Sequence, residues 1–212
     1  MNTKYILLLI GLLLYAGSIT AQTRFYDVTR TFHESGFTYQ ANVIPGDRVL
    51  LFNRDVGRFT DLRQTFRDGR GISEDDRRID DVVEENDIRM RALAHQIVRN
   101  TFSIAERNRL RRGEYLGLRL IICPNTGSVK EVHFNFMRQS GYATIPVTTY
   151  RRMEVAIKEQ VRFTPTDFGR NMNFIFRGWR IDVTASIAPN HPDILFPLED
   201  FTLDDDGGLL PP

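Results

Sequence analysis

Between Tyr115 and Val183 the apolar residues change spacing from two to about 3.6 and back to two, and this constrains the fold more than any other feature of the chain. Leu116, Leu118, Leu120 and Ile122 share one face of a strand. Pro124-Asn125-Thr126-Gly127 supplies a turn, and Val132, Phe134 and Phe136 then share one face of a returning strand, against Glu131, His133 and Asn135 on the other. The hairpin therefore has one dry face and one mixed face. Tyr150, Met153, Ile157 and Val161 form a helical stripe, with Pro146 in the first turn and Thr164-Pro165 at the end, that is predicted to cover the dry face. A last strand, Asn171 to Val183, follows through Gly169. Its apolar residues Met172, Phe174 and Phe176 are even-numbered, whereas Trp179, Ile181 and Val183 are odd-numbered, which predicts a bulge or sharp bend at Gly178.

Upstream the pattern is also β. Phe37, Tyr39, Ala41 and Val43 alternate with Thr38, Gln40 and Asn42; Pro45-Gly46-Asp47 turns the chain and Val49-Leu50-Leu51-Phe52 returns it. A further strand is predicted over Phe25 to Phe32, reversed at His33-Glu34-Ser35-Gly36. From Arg54 to Asp87 the chain turns to Arg and acid, with eight acids between Glu74 and Asp87, and reads as a solvated excursion. Within it Phe59, Leu62 and Phe66 keep helical spacing and predict one docked turn, while Asp75-Asp76-Arg77-Arg78 lacks the alternating oxygens and central glycine of a calcium loop. Met90, Leu93, Ala94, Ile97, Val98 and Thr101 then make one face of an amphipathic helix with Asp87 as its N-cap. Ser103-Ile104-Ala105-Glu106 has capping-box form and predicts a short second helix to about Arg112, closed by Gly113.

The first residues set the compartment. Lys4, an uncharged run from Tyr5 to Ala16 and small residues up to Ala21 make the layout of a secretory signal peptide, cleaved after Ala21. The apolar run is about a dozen residues, short of the ~20 that span a bilayer, and no Cys follows it for a lipid anchor. Without Lys4 the basic and acidic residues both number 27, and a neutral chain lacks the Lys and Arg excess that drives nucleic-acid binding. All but three of the 28 basic residues are Arg, which suits pairing with the chain's own carboxylates and leaves an acidic ligand as the alternative. Cys123, the single cysteine, offers no internal disulfide and reads as buried packing at the end of the run Leu118 to Ile122.

Several pieces together resemble the C-terminal domain of TonB and its relatives in bacterial cell envelopes. They are the hairpin residues Gly127-Ser128-Val129, the Glu131-Val132 strand, Ser140-Gly141 before the helix, Val161-Arg162-Phe163-Thr164-Pro165 at its end, and Gly169 before the last strand. The resemblance covers residues 115–183. It implies a hairpin–helix–strand unit and recognition of an extended peptide by strand addition, with Arg177 and Trp179 on the last strand as the contacts. Beside that stands the plainer reading, in which Trp179 is core and Arg177 an ion-paired surface residue. The retained anchor and long spacer of TonB itself have no counterpart, since β sequence starts at Arg24.

No catalytic constellation stands out. His33, His95, His133 and His191 are scattered without metal-pair spacing, no Ser lies in a Gly-x-Ser-x-Gly elbow, and Asp206-Gly207-Gly208 lies in a tail. That tail, within 189–212, carries five acids from Glu199 onward and no base. Phe196, Leu198 and Phe201 are its candidates for docking.

The sequence thus predicts an α+β protein: an antiparallel β-sheet with helices packed on one face, divided into signal peptide (1–21), β-rich segment with polar loop (22–87), helices plus TonB-like unit (88–188) and tail (189–212). The expected role is non-catalytic binding of an envelope protein or extended peptide in the periplasm or cell envelope of a Gram-negative bacterium. No cofactor, metal or nucleic acid is expected. A small-ligand carrier, a structural envelope protein and an unrecognised hydrolase are the alternatives.

Overall fold

The computed structural model describes residues 24–55, 63–72, 82–84 and 87–184. The expected signal peptide, the tail 189–212, Phe59, Leu62, Asp75 to Arg78 and His191 lie outside them.

The predicted α+β class holds, with one antiparallel sheet and a few helices packed on it. Its strands are β1 (Arg30–Glu34), β2 (Phe37–Ile44), β3 (Arg48–Asn53), β4 (Leu116–Ile122), β5 (Val129–Met137) and β6 (Ile175–Ile181), in the spatial order β1-β2-β3-β5-β4-β6. The helices are α1 (Asp87–Thr101), α2 (Ile104–Arg107), α3 (Val147–Gln160) and α4 (Asp167–Arg170), with a 3-10 turn at Gly141–Thr144. Pairing of β3 with β5, from Arg48 opposite Met137 to Phe52 opposite His133, joins the N-terminal hairpins to the β4–β5–β6 unit in one continuous sheet.

α3 lies across β5 and reaches β1, and α1 packs against α3. Under them the alternation read from the sequence sets the core: Tyr39, Ala41, Val49, Leu51, Leu116, Leu118, Leu120, Ile122, Val132, Phe134 and Phe136 are all buried. The Tyr150 ring stacks on Phe136 at 5.5 Å and tilts against Phe134 at 5.0 Å. At the start of α2 the capping box forms as predicted, Ser103 Oγ accepting from Glu106 N at 3.2 Å and Glu106 accepting from Ser103 N at 2.7 Å. Glu106 also accepts from the Thr149 hydroxyl at 2.6 Å, which ties α2 to α3.

Six local expectations are corrected. The first strand begins at Arg30, not Phe25, and turns at Ser35-Gly36, both at positive φ. The segment before it crosses to the helix side, where Phe25 N donates to Ala143 O and the buried Tyr26 hydroxyl donates to Ile145 O at 2.9 Å. Tyr26 is an aromatic anchor, with its ring 5.2 Å from Phe32 and 5.4 Å from Phe136, and an anchor needs no strand pairing. α2 stops at Arg107 rather than Arg112, because Asn108 caps it and no apolar stripe continues beyond.

The described parts of the polar excursion are docked. Phe66 is bridged to Met172 in β fashion instead of forming a helical turn, and Val82 and Val83 are buried beside Pro165. On the mixed face of the hairpin Glu131, His133 and Asn135 are all buried as well.

No bulge occurs at Gly178, for β6 keeps register with β4 from Ile175 opposite Ile122 to Ile181 opposite Leu116. Met172 and Phe174 precede the strand, so their parity is not strand parity, and Arg177 fills the odd position that the spacing had left polar. The irregularity lies in the β4–β5 hairpin. Ile121 faces Glu131 while Ile122 faces Val129, so Lys130 is the additional residue and Val129 joins Val132 on the core face.

Cys123, finally, is only half-buried, because β4 ends at Ile122 and the thiol belongs to the turn. Burial raises its pKa, but the Thr126 hydroxyl, the turn amides of Asn125 and Thr126 and the charge of Lys130 outweigh burial and lower it overall. The expected result is one thiol per folded chain alkylated by iodoacetamide without denaturant; complete protection until unfolding would restore the buried reading.

Candidate functional site

β6 closes one end of the sheet among the described residues, being paired to β4 alone. The strand carrying Arg177 and Trp179 thus stands at an edge, as the sequence suggests. Their side chains do not line that edge. Arg177, opposite Leu120, is 8% exposed and Trp179, opposite Leu118, is 7% exposed, both on the face that the helices cover. Trp179 packs its ring 5.8 Å from Phe163. Both side chains turn inward and anchor β6 to the core from beneath.

The pieces that carry the TonB resemblance meet in space. Gly127 sits at φ +66 in the hairpin turn, and Phe163 N, just past α3, donates to its carbonyl at 2.9 Å. Ser128 bridges to Arg162 in β fashion. Gly169 lies so close to Val82 that an added Cβ would fall 2.1 Å from its carbonyl oxygen. The glycine hairpin and the Arg-Phe-x-Pro exit are two halves of one contact that seats α3 on the sheet.

Two polar clusters are buried. On the face away from the helices, His133 Nε2 lies 3.0 Å from Glu131 Oε2, the pair being 4% and 2% exposed. Its cross-strand neighbours are Phe52 on one side and Arg119 on the other, so a ring and a cation flank the dyad. The Arg119 guanidinium lies 5.2 Å from the Phe176 ring centre, and burial, with Arg48 beside it, lowers its pKa to about 10.

The second cluster was not found from the sequence. Glu154 on α3 is 0% exposed and accepts from Lys158 Nζ at 2.6 Å, Arg151 at 3.0 Å, Asn53 Nδ2 at 3.2 Å and the Tyr39 hydroxyl. Burial raises the Glu154 pKa, but hydrogen bonds from Lys158 and Tyr39 and the Lys158 charge bring it below the ordinary value. The signal available was a carboxylate four residues after Tyr150 on the apolar stripe, with Arg151 and Lys158 at i−3 and i+4. Every oxygen is occupied from within, so the cluster is a fastening between α3 and the β2–β3 hairpin.

His33 is exposed on β1, and His95 contacts Asp182 O at 3.0 Å. Among the described residues no three His, Cys, Asp or Glu side chains gather as a metal-ligand set, and no helix is long and apolar enough to cross a membrane.

Fold and clusters together define an α+β protein with helices packed on a six-stranded antiparallel sheet, α3 being fastened to it by the buried Glu154 cluster. The model of the family described as Domain of unknown function (DUF5043) matches residues 22–179, and the chain belongs to this family. A DUF5043 family protein from Bacteroides uniformis ATCC 8492, known from its crystal structure, is similar at 32% identity over 80% of this chain and 94% of that one, with a TM-score of 0.67. A search of curated proteins finds no match.

Proposed function

We propose that this chain is an exported, non-catalytic module of the cell envelope that binds an extended segment of a partner protein by strand addition beside β6. The observation that carries the reading is the placement of β6 at the end of the described sheet, held from beneath by Arg177 and Trp179. An added strand gains main-chain hydrogen bonds along such an edge. The order β5-β4-β6 with α3 laid across it, and the contact of Gly127 with Phe163, support the likeness to the TonB C-terminal unit that implies this mode. Export is supported by the apolar leader Met1 to Ala21 and by a family match that starts at residue 22, the first residue after the expected cleavage.

The test uses paired proline variants. Successive residues of an antiparallel strand point their N–H groups toward the neighbour and away in turn, so of Ile175→Pro and Phe176→Pro one breaks the ladder with β4 and the other removes an outward donor. The chain from Gln22 is immobilised against envelope extract, and each variant is checked for its fold by circular dichroism. A partner captured by the parent and lost by the variant that stays folded is the expected result. A partner held equally by that variant, or no partner, would turn the reading toward a self-contained structural protein of the envelope.

A further inference from the structure

The other end of the sheet supports an interaction that is independent of β6. β1 is five residues long, Arg30-Thr31-Phe32-His33-Glu34, and pairs with β2 alone among the described residues. The two-residue turn Ser35-Gly36, both at positive φ, makes Glu34 and Phe37 the hydrogen-bonded pair that flanks it. By alternation Phe32 and Arg30 also bond inward to β2, and the N–H and C=O groups of Thr31 and His33 point away from the sheet. Thr31 and His33 are exposed. The preceding segment does not cover them, because Phe25 and Tyr26 bond to Ala143 and Ile145 on the helix side.

A short edge that bears charges is ordinarily protected against pairing. Here the charges have a particular order. Read antiparallel about Phe32, the strand is complementary to itself: Arg30 faces Glu34 of the other copy, Thr31 faces His33, and Phe32 faces Phe32. Arg30, Phe32 and Glu34 share one face, so two opposite-charge pairs flank an aromatic pair on the same side of the joined sheet. Neither Arg30 nor Glu34 is in an ion pair within the chain among the described residues, and the Arg30 guanidinium already lies over the Phe32 ring at 4.4 Å. A foreign strand of random sequence would meet these charges without partners, whereas a second copy supplies both.

We propose that β1 is a self-association edge, at which two copies of this chain pair antiparallel about a two-fold axis at Phe32 and continue the sheet from one copy into the next. The interface is short, so the dimer dissociates on dilution. It requires nothing of β6, and failure of either proposal leaves the other standing.

Sedimentation equilibrium of the purified chain over a concentration series, with three variants, is the test. The parent is expected to pass from monomer to dimer as concentration rises, and Glu34→Arg is expected to stay monomeric at concentrations where the parent is dimeric. The double exchange Arg30→Glu with Glu34→Arg restores the charge pairing and is expected to restore the dimer. Thr31→Pro removes an outward donor without breaking the β1–β2 ladder and is expected to abolish association with the circular dichroism unchanged. A parent that remains monomeric up to its solubility limit overturns the proposal. So does a dimer that persists in Glu34→Arg, or a double exchange that stays monomeric while folded.

Discussion

Replacing Glu154 with alanine is expected to destabilise the fold by about 3–5 kcal/mol, the range for removing one partner from a buried charged cluster. The carboxylate is fully buried and receives Lys158, Arg151, Asn53 and the Tyr39 hydroxyl at once, and Tyr39 and Asn53 are themselves buried. Without it the buried Tyr39 hydroxyl and Asn53 amide lose an acceptor that water cannot readily replace, and Lys158 and Arg151, each 20% exposed, lose their counter-charge. Urea denaturation reads the loss directly, and a change below about 1 kcal/mol would mean that the cluster is hydrated in solution.

The same group governs acid stability. The folded carboxyl is held below its ordinary value, whereas in the unfolded chain it titrates near about 4.3. Its contribution is therefore complete above that pH and is lost as pH falls toward the folded value, since the unfolded state takes up the proton first. The variant Glu154→Gln carries no such proton. Its stability is expected to fall less steeply than that of the parent below about pH 4.3, and parallel slopes would place the acid sensitivity elsewhere.

Gly127→Ala is the second large effect. The left-handed backbone costs any side chain about 1–2 kcal/mol, and displacing a packed neighbour costs about 1–3 more. At Gly127 both apply, because φ is +66 and an added Cβ would lie 1.8 Å from the Phe163 carbonyl oxygen. Gly36 supplies the control, with φ +80 and nothing within 4 Å of the added atom. The expected result is a destabilisation by Gly127→Ala that exceeds that of Gly36→Ala by about 1–3 kcal/mol. Equal effects would show that the hairpin and the exit of α3 are not in tight contact.

The glycines and the Arg-Phe-x-Pro exit that carry the sequence resemblance are legible because glycine and proline punctuate sequence strongly, yet their spacing does not reveal that they touch. Once Gly127 is seen against Phe163, the motif is a means of seating a helix, and it speaks for the architecture more directly than for a ligand. Arg177 illustrates the opposite failure. Counting it as polar shifted the apparent register at Gly178, although a long aliphatic stem can occupy an inward position and the strand runs through unbroken. Cys123 ends an apolar run in the sequence, while the strand stops one residue earlier and the thiol falls under the turn's amides. Alternation puts Glu131, His133 and Asn135 on one face, but their burial there depends on what else in the folded chain meets that face, which alternation does not encode.

Local order in the chain was sufficient to define the hairpins, the long helices and the face each turns to the core, because the periods of strand and helix are properties of neighbouring residues. Tertiary structure decided that β3 pairs with β5, that Glu154 fastens α3 to Tyr39 and Asn53, and that β1 and β6 end the described sheet. Those outcomes rest on groups up to 115 residues apart brought within hydrogen-bonding distance, and no periodicity records such a meeting.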